Sequence, residues 1–362
     1  MRTHHKALPI MMLTTTAVYA LTPKGAELAR RLAAEYGGLV CVPARMAKEG
    51  EHGFGTLREC VGESYARFTR HIFVAAAGIV VRCIASHLQH KSTDPAIVVL
   101  DQQGQFVISL VSGHLGGANA LAQDVARITG GTAVITTATD TESLPSLDVA
   151  AMEAGCAMHN IGAVKHVNGA LLAGQTVTVF DPDNRLGLQT GPHAHLFNFT
   201  ETMDEAACGG AAVLVTWRDP MCMALGEQTL VLHPKVLHLG IGCRKGRSAD
   251  AIESFVRREL ATRMIALESV AGIASVDAKA DEAGLLEAAR RLCAPIQFFP
   301  ADTLKGVKVP NPSEAPEKAV GTRSVAEAAA IVSAATGRGA GILIQEKLKD
   351  SGTTLAVAME IA

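Results

Sequence analysis

The feature that most limits how this chain can fold is a regular alternation of two patterns. Short apolar runs typical of buried strands, such as AVYAL at residues 17–21, are followed by segments of helical periodicity, such as KGAELARRLAAEY at residues 24–36. Strands separated by helices pair mainly in parallel, and the helices cover both faces of the sheet. The sequence therefore predicts an α/β fold with two domains, 1–140 and 226–362, each a largely parallel sheet flanked by helices.

The stretch between these domains, residues 141–225, is less regular. Two short helical patterns precede the strand-like QTVTVF, and a segment rich in Pro, Asn and Gly separates this run from AAVLVTW. The pattern predicts a smaller central α/β segment.

Composition excludes several classes of partner. The 362 residues carry a formal net charge of −2, and aromatic residues make up 4% of the chain. Proteins that bind nucleic acid or anionic membranes are usually basic, and those that bind single strands rely on aromatic platforms. We therefore expect neither a nucleic acid nor a membrane partner.

The eight cysteines are scattered without a CxxC pair. In a chain of this length, such spacing indicates free thiols in a reducing compartment, and it does not support a zinc or iron–sulfur site.

The first residues allow two interpretations. A basic opening and an apolar stretch are compatible with a signal peptide. However, threonines interrupt the stretch, and AVYAL leads into Thr22 and Pro23, an N-cap followed by proline at the first helical position. We therefore predict a buried strand followed by a helix. Because no run approaches the roughly 18 apolar residues of a membrane span, we expect a cytoplasmic protein.

A glycine-rich loop, SGHLGGAN at residues 112–119, follows a strand-like run and precedes a helix. Ligands bind at such positions in α/β sheets, and free N–H groups at the helix start favour anions. The candidate catalytic residues are His114, which titrates near neutral pH, with Ser112 and Asn119 as hydrogen-bonding partners. The candidate substrate-binding residues of this loop are Gly113, Gly116 and Gly117. The alternative is a tight turn in which His114 caps the helix.

A second glycine loop, GIGCRKG at residues 240–246, nearly fits a dinucleotide-binding fingerprint but is one residue too long. Arg244 and Lys245 at the helix start favour an anionic ligand, with Gly242 and Cys243 beside them. The alternative is a solvated basic pair.

Three further groups of charged residues need interpretation. Arg82 lies on an apolar helical pattern, with Lys91 beyond it, and is either a structural ion pair or a ligand clamp. Glu327 either binds substrate or forms a capping box with Ser324. Lys279 and Glu282, three residues apart at a helix start, favour structural capping.

His193 and His195 offer two imidazoles without a third ligand, which is insufficient for a zinc site.

Two segments together resemble a known family. Residues 75–140, which contain SGHLGGAN, are similar to the N-terminal domain of the cobalt-precorrin-5A hydrolase family of cobalamin biosynthesis. The segments LGIGCRKG, ASVDAKADEAGL, VGTRSVAEAAA and TTLAVAMEI resemble its C-terminal domain. The resemblance covers roughly residues 50–140 and 235–362, and the SGHLGGAN and GIGCRKG pair, in this order, is specific to it.

The resemblance implies a hydrolase whose substrate is a ring-contracted cobalt corrinoid carrying a δ-lactone. Water opens the lactone, the former meso-carbon leaves with its methyl group as acetaldehyde, and the product is cobalt-precorrin-5B. The cobalt belongs to the substrate, so the protein needs no cofactor. In this setting His114 becomes the base of both steps, and glycine-loop amides stabilise the oxyanion. Arg82, Lys91, Arg244 and Lys245 become clamps for the carboxylates of the corrinoid.

Two other classes remain open at this level. A non-catalytic corrinoid carrier shares every binding feature but releases no aldehyde. A nicotinamide-dependent oxidoreductase is a further alternative, with Gly240, Gly242 and Gly246 at its phosphate loop. Transient contact with other enzymes of the pathway is also expected.

Overall fold

The computed structural model describes residues 15–91, 93–207, 209–222, 225–313, 324–336 and 339–361. The chain divides into two compact units, the first ending at Val149 and the second beginning at Ala150. No helix in these residues is long and apolar enough to span a membrane.

The first unit contains one seven-stranded sheet in the order β3-β2-β1-β4-β5-β6-β7. Its strands are β1 (Thr16–Ala20), β2 (Leu39–Pro43), β3 (His52–Phe54), β4 (Arg70–Val74), β5 (Ala96–Leu100), β6 (Phe106–Val111) and β7 (Thr132–Val134). Its helices are α1 (Pro23–Tyr36), α2 (Leu57–Ser64), α3 (Ala77–Ile84), α4 (Ala118–Thr129) and α5 (Ala138–Thr141), and α6 (Leu147–Glu153) begins in this unit. A short 3-10 helix spans Ala44–Met46.

Local signals explain how this unit begins. Every residue of β1 is buried, and Thr22 caps α1 by accepting a hydrogen bond from the Gly25 N–H at 3.1 Å. Pro23 stands at the first helical position, and Gly37 ends the helix with a left-handed φ of 59°. The predicted buried strand followed by a capped helix is confirmed.

One strand reversal in this sheet decides where the glycine loop lies. Neighbouring strands pair in parallel except β5 and β6, which are antiparallel and joined by the turn at Gly104 (φ 73°). Strand β7 then pairs in parallel with β6. The carboxyl ends of β6 and β7 therefore meet at the edge of the sheet opposite to the carboxyl ends of β1, β4 and β5.

The second unit contains two five-stranded sheets. The central sheet has the order β10-β9-β11-β12-β8. Its strands are β8 (Cys156–Met158), β9 (Val177–Phe180), β10 (Phe197–Phe199), β11 (Ala212–Val215) and β12 (Thr229–Pro234). Its helices are α7 (Val164–Leu172) and α8 (Met203–Ala207). Only β8 is antiparallel to its neighbour. Short 3-10 helices span Ile161–Ala163, Ala194–Leu196 and Pro220–Cys222.

The last sheet has the order β15-β14-β13-β17-β16. Its strands are β13 (Leu237–Cys243), β14 (Val270–Val276), β15 (Ile296–Phe299), β16 (Ala340–Lys349) and β17 (Thr353–Ile361). Its helices are α9 (Ala249–Thr262), α10 (Ala283–Arg291), α11 (Ala301–Lys305) and α12 (Ala326–Ala335), with 3-10 helices at Leu267–Ser269 and Asp277–Lys279. Strands β13, β14 and β15 are parallel, and β17 is antiparallel to both of its neighbours.

The predicted α/β fold, with largely parallel sheets flanked by helices and a central α/β segment, is confirmed. One element lies elsewhere than its sequence position suggested. Strand β12 follows residue 225, where the C-terminal domain was expected to begin, but it pairs with β11 and β8 in the central sheet. Its apolar run is equally suited to either sheet, and only the pairing partners decide between them.

Candidate active site

Backbone packing accounts for the glycines of the SGHLGGAN loop. Ser112 follows β6 with a left-handed φ of 59°, and the chain folds back so that the N–H groups of Ala118 and Asn119 donate to the carbonyls of Ser112 and Gly113. A Cβ at Gly116 would lie 2.3 Å from the Cβ of Ser112, and Gly117 needs its φ of 81° to begin α4. The tight-turn interpretation therefore explains Gly116 and Gly117 by steric and dihedral requirements.

The same loop leaves donors free for a ligand. The N–H groups of residues 113–116 donate to no acceptor among the described residues, whereas the next N–H, at Gly117, donates to the His114 carbonyl at 2.8 Å. Such N–H groups ahead of a helix start favour negative charge.

The imidazole of His114 is held on both of its nitrogens and does not cap the helix. Its Nε2 lies 2.9 Å from Asp140 Oδ2 and 3.2 Å from Thr139 Oγ1. Its Nδ1 lies 3.1 Å from Ser146 Oγ and 3.4 Å from Asp148 Oδ2. The Ser146 hydroxyl in turn donates to Asp148 Oδ1. Each ring nitrogen therefore faces a carboxylate.

This arrangement shifts the titration of the ring. Hydrogen bonding to Asp148 raises the pKa of His114 above its ordinary value, and Asp140 adds to the rise, while burial opposes it only in part. The His114 side chain is 16% exposed. The two carboxylates therefore favour the protonated form of the ring, which is the form that can donate a proton.

Asn119 belongs to the same cluster. Its Nδ2 donates to Asp140 Oδ2 at 3.0 Å and to Thr137 Oγ1 at 2.9 Å, and its Oδ1 accepts from the Ser109 hydroxyl at 2.7 Å. A Cβ at Gly113 would lie 2.7 Å from that Oδ1, so this glycine makes room for the amide. Asn119 is buried and fixes the orientation of Asp140, whose side chain is 33% exposed.

Ser112 does not join the cluster through its side chain. Its hydroxyl is buried without a hydrogen-bond partner among the described residues, and the hydroxyls beside His114 come from Thr139 and Ser146. The structure places His114 and Asn119 together but gives no contact between them and the Ser112 hydroxyl.

The second glycine motif is not a loop over most of its length. Gly240, Gly242 and Cys243 are residues of β13, and a Cβ at Gly240 would lie 1.8 Å from the carbonyl oxygen of Ala326 on α12. A Cβ at Gly242 would lie 2.6 Å from Thr354 Oγ1. The expectation of a glycine loop across residues 240–243 is wrong, because these glycines are required for close packing within the sheet and against α12.

The turn that follows β13 already contains its own anion. The Gly246 N–H donates to Glu282 Oε2 at 3.0 Å, and Glu282 Oε1 pairs with Lys279 Nζ at 3.1 Å. The backbone hydrogen bond from Gly246 lowers the pKa of Glu282, and the hydrogen bond from Lys279 adds to this effect. This carboxylate occupies the position that a phosphate group would need at Gly246. The expected capping by Lys279 and Glu282 is wrong, because α10 begins after Glu282 without a side-chain cap; the two residues instead form an ion pair that holds this turn.

The four candidate cations are exposed side chains: Arg82, Lys91, Arg244 and Lys245. Arg82 donates to the carbonyl of Gly78 one turn back at 2.9 Å, and no carboxylate of the described residues pairs with it. The ion-pair interpretation of Arg82 is therefore wrong. Arg82 and Lys91 lie in the first unit, and Arg244 and Lys245 in the second. Clamping of substrate carboxylates by these groups stays a prediction. Burial raises the pKa of the neighbouring Cys243 thiol.

Glu327 has no exposed surface and binds protein groups. Its carboxylate accepts from the Asn311 side chain at 2.9 Å, from the Lys347 N–H at 3.1 Å and from the Ser324 hydroxyl at 3.2 Å. The capping box is wrong, since Ser324 bonds the Glu327 side chain and Val325 precedes the helix without a side-chain cap. A role in substrate binding is wrong as well, because the carboxylate is enclosed and its hydrogen bonds join α12 to β16 and to Asn311.

No group of three or more His, Cys, Asp or Glu side chains suited to a metal ion is found in the part of the chain that the structure describes, His193 and His195 included.

Three family models match consecutive parts of the chain. The N-terminal model of cobalamin synthesis protein G matches residues 59–140, the cobalamin biosynthesis central region matches 145–234, and the C-terminal model of protein G matches 237–358. The chain is 30% identical over 368 residues to a cobalt-precorrin-5A hydrolase of Priestia megaterium, covering 98% of this chain and 97% of that protein. The chain belongs to the cobalt-precorrin-5A hydrolase family.

Two further relatives give the range of similarity. A cobalt-precorrin-5A hydrolase of Salmonella typhimurium is 32% identical over 347 residues, covering 95% of this chain and 97% of that protein. A Sinorhizobium protein named CobE is 36% identical over 124 residues, which covers 34% of this chain and 79% of that protein.

Sequence reasoning missed half of the cluster in this member of the cobalt-precorrin-5A hydrolase family. Thr137, Thr139 and Asp140 follow β7, and Ser146 and Asp148 lie at the start of α6. One signal was available for the first group, because TTATD directly follows a strand-like run, as SGHLGGAN does. Only the parallel pairing of β6 with β7 brings these two loops together.

Proposed function

We propose that this chain is a cobalt-precorrin-5A hydrolase, which opens the lactone of a cobalt corrinoid with water and releases acetaldehyde. The observation that carries the mechanism is the position of His114 between Asp140 and Asp148. Two consecutive bond cleavages need a group that first gives a proton and then takes it back. An imidazolium that is hydrogen-bonded on both sides is suited to this sequence.

The first step is hydrolysis of the lactone. Asp140, the more exposed of the two carboxylates, accepts a proton from water as the water oxygen attacks the lactone carbonyl. The free N–H groups of residues 113–116 stabilise the oxyanion that forms. The ester C–O bond then breaks, and His114 protonates the departing alkoxide. The products are a carboxylic acid, which loses its proton to solvent, and a secondary alcohol.

The second step is cleavage of the carbon–carbon bond. His114, neutral after the first step, takes the hydroxyl proton as the carbon–oxygen bond becomes the carbonyl of acetaldehyde. The electron pair of the broken C–C bond passes to the macrocycle, which takes up the proton that Asp140 accepted from water, so that Asp140 is again a carboxylate and His114 an imidazolium. The sequence-based hypothesis made His114 the base of both steps. The present proposal gives it the acid role first, and its raised pKa supports this order.

Asn119 and Ser146 position these groups. Asn119 donates to Asp140 Oδ2, the same oxygen that faces His114 Nε2, and Ser146 links the His114 ring to Asp148. Ser112 contributes through its backbone conformation, which turns the chain into the loop.

The cobalt belongs to the substrate in this proposal, and no cofactor of the protein enters either step. We also infer a cytoplasmic location and transient contact with the enzymes that supply the corrinoid. Support for a reducing compartment comes from free thiols at Cys41, Cys60, Cys83, Cys156, Cys243 and Cys293. Fractionation of the native host tests the location, and recovery of the protein outside the cytoplasm would contradict it.

The test of the function is acetaldehyde release from cobalt-precorrin-5A under anaerobic conditions. We expect the wild-type protein to produce one acetaldehyde per corrinoid, and His114→Ala to be slower by about a hundredfold or more while it still binds the corrinoid. Corrinoid binding without aldehyde from the wild-type protein would favour a carrier. Near-normal turnover by His114→Ala would remove the histidine from the mechanism.

A further inference from the structure

A cavity of about 210 Å³ lies in the second unit, remote in sequence from His114. It opens where the parallel strands β9, β11 and β12 end, at Phe180, Val215 and Pro234. The carboxyl ends of parallel strands are the usual place for a ligand in an α/β sheet. Neither of the glycine motifs of the sequence lies here.

Apolar and aromatic side chains form one part of the cavity wall. Phe180, Met203, Trp217, Val236 and Met359 line it, and Trp217 is the only tryptophan of the chain. Such walls suit a planar, largely apolar body.

The backbone holds Trp217 firmly in place. Its carbonyl accepts from the Ala266 N–H at 3.0 Å, and the Asp219 N–H donates to the Met264 carbonyl at 2.8 Å. Its ring also packs against the core of the last sheet. The aromatic wall is therefore preorganised, which lowers the entropy lost when a ligand binds.

The charges of the cavity leave one cation available. Asp181 is buried, and its carboxylate accepts the N–H groups of Arg185 and Leu186 at 3.0 and 2.8 Å. Arg185 itself pairs with Asp183 at 3.1 Å. The guanidinium of Arg218 lies 4.6 Å from the centre of the Trp217 ring and pairs with no carboxylate of the described residues. Arg218 is exposed and can receive a carboxylate from a ligand.

From this combination we infer that the cavity binds one edge of the corrinoid, with a ring of the macrocycle against Trp217 and an acid side chain on Arg218. The inference rests on the proposed function for the identity of the ligand. A volume of about 210 Å³ admits a single five-membered ring with its short acid chain, and not a whole macrocycle. The central region thus becomes part of substrate recognition, a role that no motif in the sequence indicated.

The test compares two stable corrinoid probes by titration calorimetry on the full chain. In cobyrinic acid the side chains end in carboxylates, and in cobinamide the same groups are amides. We expect Arg218→Gln to weaken the binding of cobyrinic acid about tenfold or more and to change the affinity for cobinamide by no more than about twofold. The reason is that a charge-assisted hydrogen bond to Arg218 forms only with the acid. Arg218→Lys should recover part of the loss.

The matched control is Arg258→Gln. Arg258 is likewise an exposed arginine over an aromatic ring, 5.3 Å from the centre of Phe255, but it lies on α9 and does not line the cavity. We expect this variant to bind both probes as the wild type does.

Trp217→Leu should weaken the binding of both probes, since stacking does not depend on charge. Its melting temperature is measured to verify that the fold is unchanged. Trp217→Phe, which keeps an aromatic wall, is the folding-conservative replacement if the leucine variant is unstable. Equal affinity of wild type and Arg218→Gln for cobyrinic acid would overturn the inference, and so would failure of the wild type to bind that probe.

The outcomes separate this inference from the proposed function. A protein that binds cobyrinic acid through Arg218 but releases no acetaldehyde retains the inference and loses the function. A protein that releases acetaldehyde while Arg218→Gln leaves both the affinity for cobyrinic acid and the KM unchanged retains the function and loses the inference. In the active enzyme we expect Arg218→Gln to raise KM and leave kcat nearly unchanged.

Discussion

Asp140 Oδ2 lies 2.9 Å from His114 Nε2, although 26 residues separate the two in the chain. Asp148 approaches the opposite nitrogen of the same ring at 3.4 Å. A histidine between two carboxylates is charged at a pH at which an isolated histidine is mostly neutral. This relationship is the reason that the proposed mechanism uses His114 first as a proton donor and then as an acceptor.

Replacement of Asp140 by Asn should slow acetaldehyde release by about a hundredfold or more. The variant keeps the shape of the side chain but removes the group that accepts the proton of water. Asp124→Asn is the control, because Asp124 is an exposed carboxylate on α4 that pairs with Arg127. A rate for Asp140→Asn within about threefold of the wild type would exclude Asp140 as the base.

The pH dependence of turnover should follow the protonation of His114. The acid form is present below the pKa of the ring, so the rate falls as pH rises through that raised pKa. In Asp148→Asn the largest cause of the rise is gone, and the falling limb should move to lower pH. Rates across pH 5–9, with Asp124→Asn for comparison, measure the displacement. A limb that stays in place in Asp148→Asn would show that another group controls it.

Gly240→Ala should destabilise the protein by about 1–3 kcal/mol or more, because the new methyl group would lie 1.8 Å from the Ala326 carbonyl oxygen and push α12 off the sheet. Gly169→Ala is a matched control on α7, where a Cβ meets nothing within 4 Å and the helix gains about 0.5–1 kcal/mol. Urea unfolding of both variants measures the difference. If Gly240→Ala is as stable as the wild type, the packing argument fails.

Glu327→Gln should destabilise the protein by about 1–3 kcal/mol. In the wild type the Glu327 carboxylate accepts hydrogen bonds from the N–H groups of Asn311 and Lys347, whereas in the variant the NH₂ of the glutamine amide would face these donors. Hydrogen bonds from Asn311 and Lys347 lower the pKa of Glu327 despite its burial. Its stabilising contribution is therefore present above the unfolded pKa, near 4.3, and is lost as pH falls through the lower folded value.

Urea unfolding of wild type and Glu327→Gln between pH 3 and 7 should show the gap closing toward acid pH. At pH 7 the KM for the corrinoid should stay unchanged, because the group is enclosed. An increase in KM with unaltered stability would restore Glu327 to the substrate-binding set.

Local patterns were sufficient for much of the first unit. The buried run at β1 and the cap at Thr22 are each specified by neighbouring residues, and the structure has them where the sequence predicts them. The GIGCRKG motif shows the limit of this reasoning. Gly240 is required because the helix that begins at Ala326, 86 residues away in the chain, packs directly against it. In a single sequence such a glycine cannot be distinguished from one that is required by a turn.

By itself, the sequence determined the α/β class, the strand–loop–helix setting of His114 and the family to which the chain belongs, because periodicity, caps and motifs are local properties. Only the tertiary structure decided the partners of that histidine and the direction in which they shift its pKa. The reversal of β6 against β5 and the parallel pairing of β7 with β6 place two loops at one edge of the sheet. Asp140 and Asp148 then surround the ring, and the pKa of a side chain depends on which charges stand next to it in space.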